Sequence, residues 1–312
     1  MKKNMNNATH IEGYLYEHDL ELKVSGPNSK NPGTEFIAGN VHIATNNAKD
    51  NIVPVHFTYV TATTKKGSPN ATFGILKDII DGKLGSIMGN GEDSAAKLRI
   101  DSAIGLNEFY TDRNGTEELV SVKRNEGGFV HTTSSLSDLE NNRNTFRVDM
   151  LITGVKHVDA DEERGLPEKG ILKGAIFNFR NELLPVEFSV VHPDAISYFE
   201  SLEASSKNPV FTELRGEQVS ETIIKTIEEK SAFGGSSVRE VKNTRKDWVV
   251  TWAAEETYEW DSEETLTATE VQKAMSDREV ALATMKQRAD EWKSQKSNGA
   301  ATAAPATGGF NF

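Results

Sequence analysis

The side chains in this sequence with the most chemistry to offer are flat rings and cations placed where strands should run. Tyr14, Tyr16, Phe36, Tyr110, Phe177, Phe179 and Trp248 supply π-faces, and His42 adds a ring that also hydrogen-bonds. Lys65, Lys66, Arg99, Lys123, Arg124, Lys173 and Arg180 supply positive charge in the same segments. Rings that stack on unpaired bases, flanked by cations that meet phosphates, are the chemistry of single-stranded nucleic-acid binding. The same rings would serve equally well as a packing surface between domains or against a helix.

Catalytic chemistry is hard to assemble from the remainder. Seven histidines are scattered (His10, His18, His42, His56, His131, His157, His192), and none forms an H-E-x-x-H pair. The glycine-rich stretch around Gly89 lacks the Lys-Ser/Thr of a phosphate-binding loop, and there is no G-x-S-x-G elbow. With no cysteine, thiolate nucleophiles, thiolate zinc sites and disulfides are excluded. His157 with Asp159, Asp161 and Glu162 reads as a solvated hairpin loop rather than a cation site. No enzyme, cofactor or metal is expected.

Charge runs against a nucleic-acid ligand, since the chain carries a net charge of -12. Distribution matters more than the sum. From Glu255 to Glu264 the run EETYEWDSEE concentrates acid, leaving room for basic faces elsewhere, including Lys242, Arg245 and Lys246. No apolar stretch is long enough for a membrane span, and MKKNMNNATH is not followed by a signal-peptide core, so the expectation is a cytoplasmic protein without membrane contact.

The elements that must carry the rings follow from an internal repeat. Phe36 to Val60 (FIAGNVHIATNNAKDNIVPVHFTYV) matches Ile171 to Val191 (ILKGAIFNFRNELLPVEFSVV), with Gly39 over Gly174, Pro54 over Pro185 and Phe57 over Phe188. Each copy follows a strand-like segment, IEGYLYEHDLELKV from Ile11 or NTFRVDMLITGVKHV from Asn144. Each precedes a short amphipathic helix, FGILKDIIDG ending at Gly82 or PDAISYFESLEA opening on Pro193, and then two further strands.

Three strands, a helix and two strands is the order of the oligonucleotide-binding barrel. The expected fold is therefore mainly β: tandem five-stranded barrels over 8–135 and 144–260, a helix over 265–293 and a disordered tail over 294–312. A β-sandwich of similar strand spacing is the alternative. The segment SETIIKTIEEKSAFGG from Ser220 fits a helix inserted before the last strand. Thr267 and Glu270 form a capping box, and Val271, Ala274, Met275, Leu282, Met285, Ala289 and Trp292 recur at helical spacing.

Alternation then assigns faces. Ile11, Gly13 and Leu15 inside put Tyr14 and Tyr16 outside; Ile37, Val41 and Ile43 inside put Phe36, Asn40 and His42 outside. Leu172, Gly174 and Ile176 inside leave Lys173, Phe177 and Phe179 outward, with Arg180 at the strand end.

The segments IEGYLYE, FIAGNVHIAT and GLNEFY, with a barrel core, a tail and the terminal Phe310 and Phe312, resemble the single-stranded DNA-binding proteins of phages and bacteria. The resemblance implies coating and protection of single-stranded DNA in replication, recombination and repair, with little sequence preference. It also implies recruitment of replication or recombination proteins through Phe310 and Phe312, although GGFNF lacks the adjacent acid of that family's tip. Competing expectations are a virion-type structural or assembly protein and a strand-annealing recombination mediator.

Overall fold

The computed structural model describes residues 5–113, 116–162, 165–230, 236–260 and 265–298. The chain order is β1 (Asn7–His18), β2 (Glu21–Val24), β3 (Glu35–Ala44), β4 (Ile52–Thr61), α1 (Ala71–Ile80), α2 (Ile87–Asn90), β5 (Lys97–Arg113) and β6 (Thr116–Thr132). It continues with β7 (Asn144–Val158), β8 (Lys169–Phe177), β9 (Leu183–Val190), α3 (Pro193–Ser201), β10 (Val210–Lys230), β11 (Ser236–Ala253) and α4 (Ala268–Asn298).

Strand pairing closes each half of the chain in the same way. In the first, β1 pairs antiparallel with β3 and β5, β3 with β4, and β5 with β6, while β4 meets β6 in parallel at Val55↔Asn125. In the second, β7 pairs with β8 and β10, β8 with β9, and β10 with β11, while β9 meets β11 in parallel at Val249↔Ser189. Both circuits, with a helix between third and fourth strands, are oligonucleotide-binding barrels. The protein is thus a tandem of two such barrels with a C-terminal helix.

Each barrel is filled by the apolar side of its own repeat. Ile11, Leu15, Ile37, Val41, Val53, Val55 and Phe57 pack with Leu76 and Ile79 of α1 in the first. Phe146, Val148, Leu172, Ile176, Val186 and Phe188 pack with Ile196 and Phe199 of α3 in the second. The matched glycines are the close approaches that permit this. Gly39 sits at φ +130° beside a bulge, and a Cβ there would lie 2.6 Å from the Asp19 carbonyl oxygen. A Cβ on Gly174 would run into the Leu151 carbonyl of the neighbouring strand.

The barrels are continuous with each other. β1 pairs antiparallel with β7 from Asn7↔Val148 to Ile11↔Asn144, so that all the strands join one 11-stranded sheet. Ile104 of β5 reaches into the second core.

Two expectations are corrected here. The segment from Ser220 is strand, not helix: β10 runs through it to Lys230 in register with β11, from Ser220↔Lys246 to Lys230↔Ser236. Its β-branched Thr222, Ile223, Ile224, Thr226 and Ile227 suit an extended backbone with a partner ladder. The C-terminal helix extends to Asn298, beyond the expected end at 293. Its start is capped as expected: the Thr267 backbone N–H donates to Glu270 Oε2 (3.0 Å), and the Glu270 N–H donates to Thr267 Oγ1 (3.2 Å).

Candidate nucleic-acid interface

A cleft of about 530 Å³ lies where β6 of the first barrel crosses β8, β9 and β11 of the second. Its lining holds four cations, Lys123, Arg124, Lys169 and Lys246, against two carboxylates, Glu187 and Asp247, so it is a locally basic site on an acidic chain. Trp248 supplies a ring, and Val122 and Ile171 supply apolar wall.

Lys123 is the most constrained of these cations. Its ammonium donates to the Glu187 carbonyl oxygen and lies 4.2 Å from the centre of the Phe188 ring and 5.1 Å from that of Trp248. Burial among these groups pushes its pKa down to about 7, against the pull of Asp247 and Glu187. Arg124 spends one terminal nitrogen on Glu126 Oε1 (3.0 Å), while its buried Nε has no partner among the described residues. Lys169 is held on Asp247 Oδ2 (2.8 Å), and Asp247 also accepts from Ser189 Oγ (2.7 Å). This arrangement gathers cations and a ring in one cleft, a chemistry suited to an elongated anion with flat substituents.

A second ring-bearing surface lies on the outside of β3 and β4. Phe36 and Tyr59 pack with ring centres 4.5 Å apart, and the Tyr59 hydroxyl lies 3.2 Å from Ser25 Oγ. Along the same strands His56 Nδ1 is 2.9 Å from Asn40 Oδ1, and His42 Nδ1 is 2.9 Å from Glu17 Oε1. Burial, reinforced by the Arg124 charge, holds the His56 pKa below its ordinary value. Tyr16 is half-buried on β1. Exposed Lys65 and Lys66 follow the end of β4 that carries Tyr59.

The ring and cation candidates do not form one patch. Lys123, Arg124 and Trp248 meet in the cleft, and exposed Lys173 borders it through Glu187 (3.7 Å). Phe36 and His42 lie on β3 of the first barrel, Tyr16 on its β1, and Lys65 and Lys66 in the segment after its β4. Tyr14 is elsewhere, half-buried with the Lys49 ammonium 5.1 Å and the Lys97 ammonium 5.8 Å from its ring centre. Arg99 is exposed on β5 beside Asp101 (3.4 Å), and half-buried Tyr110 lies far along the β5–β6 hairpin opposite Leu119.

Phe177 corrects the assignment of a base-stacking role, not of its face. It does point away from its barrel, as alternation requires, but it is 0% exposed. Leu183, Phe211, Leu266 and Val271 close over it, so α4 and the segment before it turn an outer face into a core. No base can stack there. Phe179, by contrast, is 78% exposed in the β8–β9 turn, with the Arg180 guanidinium 5.1 Å from its ring centre. Phe310 and Phe312 lie outside the described residues.

Sequence reasoning missed Tyr59 and Lys169; Trp252 of β11 is exposed with Arg215 4.2 Å over its ring. Simple alternation from Val53, Val55 and Phe57 puts Tyr59 inside. A bulge opposite Ala38 shifts the parity, so that Val60 pairs with Ile37 and Tyr59 turns out.

The YorF family model matches residues 6–288. The chain belongs to the YorF family. The match takes in both barrels and most of α4, so the family is defined by the whole two-barrel unit rather than by one repeat. No curated protein matches the sequence. Among solved structures, the wild-type single-stranded DNA binding protein from Thermus aquaticus is similar at TM-score 0.45 and 9% identity, over 83% of this chain and 97% of that one. A deletion mutant of that Thermus aquaticus protein is similar at TM-score 0.45 and 9% identity, over 84% of this chain and 99% of that one. The topology of this YorF chain rests on its own strand pairing, not on that likeness.

Proposed function

We propose that the protein binds single-stranded DNA, coating and protecting it with little sequence specificity during replication, recombination or repair. The observation that carries this reading is the inter-barrel cleft, where Lys123 and Arg124 of one barrel face Trp248 and Lys169 of the other and the Arg124 Nε is buried without an acceptor among the described residues. A phosphate would answer that nitrogen, and Trp248 would take a base. From the cleft the strand would continue over Phe36 and Tyr59. Replication or recombination proteins would be partners through Phe310 and Phe312, and the site of action would be the cytoplasm, host cytoplasm if the gene is a phage's. Among the described residues no helix is long and apolar enough to cross a membrane.

The deciding experiment is titration of the full chain with oligo-dT, followed by tryptophan fluorescence and repeated with duplex DNA and RNA. Tight quenching by oligo-dT that weakens with salt is expected; no binding at low salt would sink the proposal. A second reading, a virion-type assembly protein, draws on Phe109, Leu119 and Val122, all exposed along the β5–β6 hairpin. It calls for a stoichiometric assembly in size-exclusion chromatography and indifference to DNA.

A further inference from the structure

A second cleft, of about 600 Å³, separates the β8–β9 turn from the first turns of α4. That is within the roughly 300–1,000 Å³ typical of small-molecule sites. Asn181 lines it at 9% exposure, and neither its side-chain oxygen nor its side-chain nitrogen has a hydrogen-bond partner among the described residues. A buried amide with both donor and acceptor unanswered is costly, and a ligand that answers both recovers the cost.

The lining indicates what kind of ligand this is. Four carboxylates face three cations around the cleft, and Arg278 is already committed to Glu108 (2.5 and 3.2 Å), so the site does not suit a phosphate. Leu183, Leu184, Leu266, Ala274 and Ala281 supply apolar wall. A neutral, flat heterocycle with a donor next to an acceptor fits both features. Every nucleobase has such a pair on its pairing edge, in one order or the other, and a primary amide answers either order by turning over. Arg180, which lines the cleft, also covers the exposed ring of Phe179.

The position agrees with the path of the strand. The basic cleft lies against Ile171 and Ser189 at one end of the β8–β9 ladder, and this one lies at the other end, against Leu183 and Leu184. The β5–β6 hairpin borders both, through Lys123 and Glu108.

We propose, building on the single-stranded DNA reading, that the cleft between the β8–β9 turn and α4 receives one unpaired base of the bound strand, whose edge hydrogen-bonds to the Asn181 side-chain amide beside the Phe179–Arg180 stack. This contact recognises a base as a base without selecting which one.

The test compares the full chain and Asn181→Gly on two oligomers of equal length, oligo-dT and an abasic sugar-phosphate chain. Glycine tolerates the left-handed backbone at this position (φ 57°), so the fold should survive, and a melting curve checks it. The wild type should favour oligo-dT. The variant should narrow that preference by about tenfold while its affinity for the abasic chain stays unchanged. An unchanged preference overturns the proposal, as does an equal loss on both oligomers, which would mark a structural role. Wild-type protein that binds neither oligomer overturns the DNA reading itself.

Discussion

Asn125 and Gln218 exchange side-chain hydrogen bonds across the two barrels, Asn125 Nδ2 donating to Gln218 Oε1 (2.7 Å) and Gln218 Nε2 to Asn125 Oδ1 (3.0 Å). Both residues are buried. Asn125 Nδ2 also reaches the Pro54 carbonyl (2.9 Å), while Asn51 and Asn144 donate to the backbone carbonyl of Gln218. The seam between barrels is therefore polar and specific at the edge of the basic cleft, and it fixes where Arg124 and Lys123 sit relative to Trp248.

Either Asn125→Leu or Gln218→Leu should destabilise the protein by about 1–3 kcal/mol, because each strands the other's buried amide. The double variant should cost less than the two together, since no lone side-chain amide then remains. Denaturant unfolding of the four proteins checks this; additive losses would show that the pair does not act as a unit.

Phe177 and Phe179 should separate stability from binding. Phe177→Ala should cost about 3–5 kcal/mol, as large aromatic truncations in cores do. Phe179→Ala should leave the unfolding midpoint in place and weaken oligo-dT binding by about 1–3 kcal/mol, the worth of one stacked base. Equal effects of both on stability would contradict the burial difference.

The same pair shows how far the sequence could be read. The Gly39/Gly174 match exposed the tandem barrels because barrel closure leaves no room for a Cβ at either position, so the constraint is local and repeats. Alternation correctly turned Phe177 away from its barrel. What covers it, Leu266 and Val271, lies about ninety residues downstream, and nothing local announces the contact. Tyr59 was hidden by a bulge that resets parity, and Lys169 joins a basic cluster only through the cations that β6 brings from the other barrel. The strand from Ser220 was misread because its apolar residues fit a helical period as well as a ladder, and the partner β11 decided between them.

The depressed pKa of Lys123 has two consequences of defined sign. Its folded value, about 7, lies below the ordinary 10.5, so between those limits the unfolded chain binds more protons and stability should rise with pH. Lys123→Met should flatten that rise. A phosphate beside Lys123 would raise its pKa, so DNA binding should take up a proton. Affinity should then fall above pH 7 by up to about tenfold per unit, until the bound pKa is reached. A pH-independent affinity that Lys123→Met leaves unaltered would remove Lys123 from the interface.

Salt provides the sharpest check on Arg124. Each phosphate neutralised on a single strand contributes about -0.7 to the slope of log affinity against log salt. Arg124 has an unanswered Nε and lines the basic cleft, so Arg124→Gln should reduce the slope by about that amount. Arg99→Gln should leave it unaltered, because Arg99 sits on β5 beside Asp101 and outside the cleft lining. If both variants change the slope equally, the strand does not run between the barrels and the charge contacts lie on the surface at large.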